Sequence, residues 1–140
     1  MNHALAAKAY ANVGLETTTP SADPHRLILM LYDGAILAVR KAQNHLQERN
    51  IAGKGEAASK AIQIIEEGLR ASLDRDVGGS IALQLDSLYE YMCHRLLMAS
   101  MGNDPIGFSE VATLLSDLRD AWAGIGEKQQ AKPQPAMRLV

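Results

Sequence analysis

The sequence has little of several features that commonly define a class of protein. It has one cysteine, Cys93, so no disulfide can form within the chain and a Cys₂His₂-type zinc site is excluded. No apolar run approaches the roughly 18 residues of a membrane span. Acidic and basic residues are interspersed and the net charge is only −2, so the sequence has no basic cluster typical of a nucleic-acid-binding protein. The N-terminus lacks the basic start and long apolar core of a signal peptide, and we expect a cytoplasmic protein.

The remaining composition is typical of packed helices. Of the 140 residues 47% are apolar and only 4% aromatic, so aliphatic side chains must fill the core. Apolar residues recur at steps of three and four, which predicts amphipathic helices at about 24–49, 56–75, 81–101 and 106–125. Because most connections between them are short, we expect an all-α fold, an antiparallel up-down four-helix bundle.

The chain outside these helices divides into an arm and a tail. Residues 1–22 form an N-terminal arm with the apolar face of a short helix, which is marginal in water and needs a surface to lie on. A frayed terminus is an equally good interpretation of the arm. Residues 127–140 are rich in Lys, Gln and Pro and polar until the last few positions, so we expect a disordered tail. The folded domain is then 23–126.

The most informative stretch is the run of six consecutive apolar residues at 27–32. Asp23 as an N-cap and Pro24 as the first helical residue favour a helix over a buried strand. Six successive apolar side chains point all the way round a helix, so a single bundle face does not cover them. The expected division is Leu27, Leu31 and Ala35 in the bundle, and Ile28, Leu29, Tyr32 and Ile36 under the arm or a bound partner.

No constellation of residues indicates catalysis. The Glu-x-x-His pairs of a di-iron bundle are missing, and Glu90 with His94 beside Cys93 is better interpreted as a solvated acid next to a histidine. None of the four histidines is followed by the Lys-Gly pair typical of phosphotransfer domains. We interpret Lys54, in the Gly-Lys-Gly sequence at 53–55, as a flexible loop lysine, because the spacing does not match a P-loop. We therefore expect no enzyme, no metal and no cofactor.

The first and third helices carry more apolar surface than one bundle face buries. Each helix of a four-helix bundle buries about three positions in seven, yet both have a second apolar row beside the main stripe. Any single residue of these rows is better explained by core packing, but the rows together favour a groove for another helix. Flexible methionines suit such adaptable grooves. Those on the two helices are Met30, Met92, Met98 and Met101.

Eleven positions are therefore candidates to contact a bound protein segment or the arm. They are Tyr10, Ile28, Leu29, Tyr32, Ile36, Ile62, Ile65, Tyr89, Met92, Cys93 and Leu97. We also hypothesise that the arm covers part of the groove in the free protein and is displaced by the bound segment.

Several segments, in order over about residues 9–125, together resemble the flagellar export chaperones of the FliS family. They are Ala9-Tyr10, PHRLILMLYDGA at 24–35, DVGGSIALQL at 76–85, LYEYM at 88–92, Arg95-Leu96 and LRDAW at 118–122. The match departs from the usual family pattern at 100–102, and the tail has no counterpart in it.

The resemblance implies a cytoplasmic chaperone that binds the disordered C-terminal segment of flagellin in apolar grooves. It implies that the chaperone prevents premature polymerisation and delivers its cargo to the flagellar type III export gate without ATP. No nucleic acid and no membrane insertion are implied, and a weak homodimer of the empty protein stays open. The alternative is a helical adaptor or structural bundle with another protein partner, which the apolar rows alone do not separate from a chaperone.

Overall fold

The computed structural model describes residues 7–9 and 23–131. Four helical elements follow one another from residue 24 onward: α1 Pro24–Gln47, α2 Ile51–Gln63 continued by a π-helix Ile64–Arg70, α3 Arg75–Gly102 and α4 Pro105–Ala131. No strand occurs in the described part of the chain. Tyr10, the rest of the arm and residues 132–140 lie outside it.

Contacts between the helices show that neighbours run in opposite directions. His25 at the start of α1 contacts Trp122 near the end of α4. Lys54 near the start of α2 bonds to the end of α3, and Arg70 at the end of the π-helix pairs with Asp86 in the first half of α3. α1 packs against α2 and α4, and α3 packs against the same two helices. The predicted all-α bundle is confirmed.

The start of α1 is the one the sequence predicts. The Asp23 side chain accepts a hydrogen bond from the Arg26 amide at 2.8 Å, and Pro24 occupies the first helical position. A proline there loses no hydrogen bond, because the first N–H groups of a helix have no partner within it. The helix ends at Gln47, close to the predicted end.

The start of α2 differs from the prediction, since residues 53–55 are helical and not a loop. Asn50 caps the helix, and its side chain accepts from the Gly53 amide at 2.9 Å. A Cβ at Gly53 would come within 2.8 Å of the His45 ring, so glycine allows the end of α1 and the start of α2 to approach closely. The Gly-Lys-Gly sequence resembles a loop, but Gly53 serves helix packing and not a turn, whereas a Cβ at Gly55 would meet nothing within 4 Å.

The interpretation of Lys54 as a flexible loop lysine is wrong, because the residue is buried. Its ammonium group donates to the Ser100 carbonyl and, at 2.7 Å, to Oδ1 of Asn103. Asn103 has left-handed backbone angles (φ 52°, ψ 46°) and ends α3. The last carbonyls of a helix have no partner within it, so Lys54 of α2 stabilises the end of α3 by satisfying one of them.

The connection from α2 to α3 is a sharp corner. The helical part of α2 ends at Arg70, before the predicted end at 75. Asp74 then caps a short turn that belongs to α3, and Gly79 (φ 57°, ψ −130°) reverses the chain after it. A Cβ at Gly78 would lie 2.7 Å from the Ala82 side chain, so the turn folds back onto α3. We call residues 74–83 the α3 corner.

The last turns of α4 are fastened to the start of α1 by a reciprocal contact. His25 Nε2 donates to the Trp122 carbonyl at 2.6 Å, and the Trp122 indole N–H donates to the His25 carbonyl at 2.8 Å. The two rings stack with centroids 4.8 Å apart and planes 12° from parallel. α4 continues to Ala131, so the predicted end at 125 is wrong. The contact explains why the helix is held beyond Trp122.

Gly126 is the position where this contact is most sensitive to mutation. A Cβ there would overlap the His25 imidazole, whereas a Cβ at Gly124 would meet nothing within 4 Å. We expect Gly126→Ala to lower the free energy of unfolding by about 1–3 kcal/mol, because the ring must leave its stack with Trp122. Gly124→Ala is the matched control and should raise it by up to about 1 kcal/mol through helix propensity. Urea unfolding followed by circular dichroism measures both, and equal stabilisation by the two would contradict the prediction.

Tyr32 of α1 and Tyr89 of α3 meet across the bundle with their hydroxyl oxygens 2.6 Å apart. Both side chains are buried. Burial is the main cause that raises the pKa of Tyr32 and of Tyr89 above the ordinary value for a phenol. Each hydroxyl is a hydrogen-bond partner of the other, so two polar atoms are satisfied in apolar surroundings. The pair links α1 and α3, which lie diagonally across the bundle.

Candidate functional site

The structure divides the predicted contact residues by their accessibility. Those in the core are Ile28, Tyr32, Ile65, Tyr89 and Met92. Those half-buried are Leu29, Ile36, Ile62 and Cys93, and Leu97 is exposed. Tyr10 lies outside the described residues.

The apolar run at 27–32 is not divided between core and surface in the way the sequence suggests, because Ile28 and Tyr32 are buried in the core and do not lie at the surface. Ile28 and Tyr32 belong to the same core cluster as Leu27 and Leu31. The reason is that α1 packs on both α2 and α4, while Tyr32 also reaches Tyr89 of α3. Three neighbouring helices cover a wider arc of α1 than the three positions in seven of a regular bundle. These core residues offer no accessible surface to a partner in this state of the chain.

The described part of the arm lies against the bundle. Residues 7–9 are helical, Ala9 is buried and Ala7 packs against the core cluster. An isolated helix of this length is unstable in water. Burial on the bundle therefore supplies the stabilisation of these three residues.

Three predicted contact residues come together where α2 meets α3. The Cys93 thiol donates to the Ile62 carbonyl at 3.8 Å, and Leu97 follows Cys93 by one helical turn on the same side of α3. Burial raises the pKa of the Cys93 thiol to about 12. The thiol is therefore protonated at neutral pH and a poor nucleophile, which fits a packing role and not a reactive one.

Further exposed apolar side chains follow along the last turns of α3 and at the beginning of α4. We call the set the α3 apolar face, and it consists of Leu97, Met98, Met101 and Ile106, which are between 48% and 72% exposed. The outward side of a bundle helix is normally polar. Clustered exposed apolar side chains on a soluble protein mark an interaction site, and this face is the candidate site of the molecule.

Three of these four residues are absent from the candidates drawn from the sequence. Met98 and Met101 were noted only as flexible side chains, and Ile106 only as a possible first residue of its helix. The signal that relates the methionines to Leu97 is spacing: Met101 follows Leu97 by four residues and Met98 by three, so both neighbour Met101 on one side of the helix. Helical periodicity does not reveal whether that side points inward or outward.

Carboxylates border the α3 apolar face. Tyr91 donates to Glu110, and Arg95 donates to Glu110 at 2.8 Å and to Asp104 at 3.3 Å. The hydrogen bond from Tyr91, followed by that from Arg95, lowers the pKa of Glu110 below its ordinary value. Glu90 is exposed on the same helix. Asp104 and Glu110 thus place two carboxylates around the single guanidinium of Arg95.

A second concave surface lies between α1 and α2. It is a groove of about 380 Å³ whose lining includes Gly34, Leu37, Ala38, Lys41, Gly53, Ala57 and Lys60. Gly34 of α1 lines this groove together with residues of α2. The groove presents fewer large apolar side chains than the α3 apolar face, because glycines and alanines make up much of its lining.

The described residues show no arrangement suited to a metal or to a membrane. Within them, no three His, Cys, Asp or Glu side chains come together as a metal site. None of the helices seen in 23–131 combines the length and apolarity needed to cross a bilayer.

Comparison with known proteins decides the family. Residues 6–129 match the family model described as Flagellar protein FliS. The chain belongs to the FliS family. A relative named flagellar secretion chaperone FliS from Salmonella typhimurium strain LT2 is 49% identical over 121 residues, which cover 86% of this chain and 90% of the relative.

Other FliS proteins give the same result. The flagellar secretion chaperone FliS of Escherichia coli K12 is 42% identical over 122 residues, 87% of this chain and 90% of the relative. That of Bacillus subtilis strain 168 is 33% identical over 114 residues, 81% of this chain and 80% of the relative. The resemblance seen in the sequence is confirmed. FliS is a family of chaperones, so the expectation that the chain is not an enzyme is confirmed as well.

Proposed function

We propose that this chain is a cytoplasmic export chaperone that binds the disordered C-terminal segment of flagellin. In this proposal the chaperone prevents premature polymerisation of flagellin and delivers it to the flagellar type III export gate, where handover needs no ATP. The observation that carries the proposal is the α3 apolar face, a set of exposed apolar side chains on a protein of a flagellar chaperone family.

The physical properties of this face suit a cargo that is disordered before it binds. Ordering such a segment costs about 2–5 kcal/mol, so an extended apolar contact is needed to offset it. Full burial of one Leu, Ile or Met side chain contributes about 1.5–3 kcal/mol. Two of the four side chains are methionines, whose flexible thioethers adapt to different apolar partners. The half-buried Ile62 and Cys93 extend the contact toward α2.

The arm is the second part of the proposal. We infer that it covers part of the cargo surface in the free chain and is displaced when cargo binds. The burial of Ala9 and the packing of Ala7 on the core cluster support a docked arm. Tyr10 stays a candidate for direct contact with cargo.

Binding of a synthetic flagellin C-terminal peptide tests the proposed function. The expected result is a complex in which amides of residues 91–106 exchange more slowly than in the free chain, because the peptide covers the α3 apolar face. A peptide of the same composition in scrambled order is the control. An adaptor for a different partner would bind the flagellin peptide no better than the scrambled one. Failure of the peptide to bind would overturn the function, whereas binding with protection elsewhere would overturn only the site.

A further inference from the structure

The α3 corner presents a second set of exposed apolar side chains, separate from the α3 apolar face. Val77, Ile81 and Leu83 are between 60% and 80% exposed. Hydrogen bonds and an ion pair hold the backbone that carries them. The Asp74 side chain accepts hydrogen bonds from the amides of Asp76 and Val77, and Arg75 pairs with Asp86. These side chains are held in place on a defined backbone, and no residue within the described ranges covers them.

The corner lies at the end of the bundle where α4 finishes. α3 and α4 run in opposite directions, as the pairing of Arg95 with Glu110 and the approach of Gly107 to Ala99 show. The start of α3 and the end of α4 are therefore at the same end of the molecule. Ile125, in the last turns of α4, is also an exposed apolar residue.

Acidic side chains accompany this apolar corner. Asp76 is exposed within it, and Asp120 is exposed on α4. Arg75 of the corner is bound by Asp86, and Arg119 donates to Asp33 at 2.9 Å and pairs with Asp120 at 3.6 Å, which leaves Asp76 as the acid of the corner for a basic side chain. The nearby guanidinium groups are therefore already engaged, and a segment that combines apolar and basic side chains fits this end of the bundle.

Such a segment follows α4 directly in the sequence. Residues 132–140 read KPQPAMRLV, with two basic residues, no acidic one and three large apolar residues near the end. The two prolines disfavour continuation of the helix and favour an extended spacer. The family match ends at residue 129, before this segment begins.

The segment is long enough to return to the corner. Ala131 follows Ile125 by about 9 Å along α4, at 1.5 Å per helical residue. Residues 132–140 span up to about 30 Å when extended, at roughly 3.3 Å per residue. A short tether also gives an effective concentration of about 1 mM, so a weak contact suffices to keep the segment bound.

We propose that residues 132–140 dock on the α3 corner of their own chain. Their apolar side chains cover Val77, Ile81 and Leu83, and Arg138 lies beside the carboxylate of Asp76. The proposal goes beyond cargo binding, because the corner and the α3 apolar face lie at opposite ends of α3. It also replaces the expectation of a disordered tail, which rested on the polar composition of its first part, with a docked segment.

Truncation after Ala131 tests the proposal on an otherwise complete chain. Amide exchange in 81–87 should become about threefold faster, as a segment docked for about two thirds of the time would require. Binding of an apolar dye should rise, and Arg138→Glu should give part of the same acceleration. Gln134→Ser is the matched control and should leave exchange unchanged. Unchanged exchange in the truncated chain would overturn the proposal.

A cross-link distinguishes the docked segment from other occupants of the corner. In a Cys93→Ser background, Leu83→Cys and Leu139→Cys should form a disulfide within one chain under mild oxidation. Disulfide found only between chains would replace the proposal with a contact between two copies. Absence of any cross-link under conditions that oxidise a control thiol pair would overturn the proposal as well.

Discussion

Replacing Leu97 and Met101 by aspartate is expected to abolish binding of a flagellin C-terminal peptide. Burial of each of these side chains contributes about 1.5–3 kcal/mol, and each 1.4 kcal/mol is a factor of ten in affinity. Each substitution should therefore weaken binding by about 10–100-fold, and the pair should bring the affinity out of the measurable range. Fluorescence anisotropy of a labelled peptide measures the loss.

The same helix offers a matched control for this prediction. Leu83 is exposed to a similar degree but lies in the α3 corner, away from the proposed cargo contact. Leu83→Asp should leave peptide affinity unchanged within twofold. All three positions are exposed, so circular dichroism should show that the helices persist. Equal loss of binding from Leu83→Asp, or full binding after both substitutions on the α3 apolar face, would disprove the assignment of the site.

Tyr89→Phe is expected to destabilise the bundle more than removal of both buried hydroxyls. The single substitution leaves the Tyr32 hydroxyl buried without its partner, which costs about 1–3 kcal/mol of unfolding free energy. Tyr32→Phe should cost a similar amount. In the double Phe variant no polar atom is left unpaired, so its stability should return toward that of the original chain. Urea unfolding of the original chain, the two single variants and the double variant gives the coupling energy between the hydroxyls. If the double variant lost the sum of the two single losses in unfolding free energy, the interpretation would be refuted.

The pH dependence of stability provides an independent check on this pair. Burial raises the pKa of both phenols, so the folded chain holds these protons more tightly than the unfolded chain, where the pKa of tyrosine is about 10. The contribution of the pair is full below pH about 10 and is lost as the pH rises above that value. The double Phe variant should therefore resist alkaline unfolding better than the original chain.

Local sequence signals predicted much of the fold because they act over a few residues. Asp23 and Pro24 fix the start of α1, and the glycines at 78–79 mark the corner in the first part of α3. Lys54 shows where such signals fail. A Gly-Lys-Gly sequence indicates a loop, but Asn50 caps the helix ahead of it, and the lysine reaches the end of α3. A partner that lies far along the chain is not visible in local sequence.

The candidate site was harder to predict than the helices for a physical reason. An apolar row at helical spacing has the same appearance whether it faces the core or solvent. Tyr89 and Met92 were candidates for a groove, yet they are buried, while Met101 on the same helix is exposed. What separates them is the position of α2 and α4 around α3, and that arrangement depends on the whole bundle.

The stacked pair of His25 and Trp122 gives the molecule a built-in optical probe. Trp122 is the single tryptophan of the chain, so intrinsic emission excited in the indole band comes from one place. That place is the junction between the start of α1 and the end of α4, where both the arm and residues 132–140 join the bundle. The α3 apolar face has no indole of its own. The proposed displacement of the arm is therefore expected to change the emission of Trp122 in the unmodified protein.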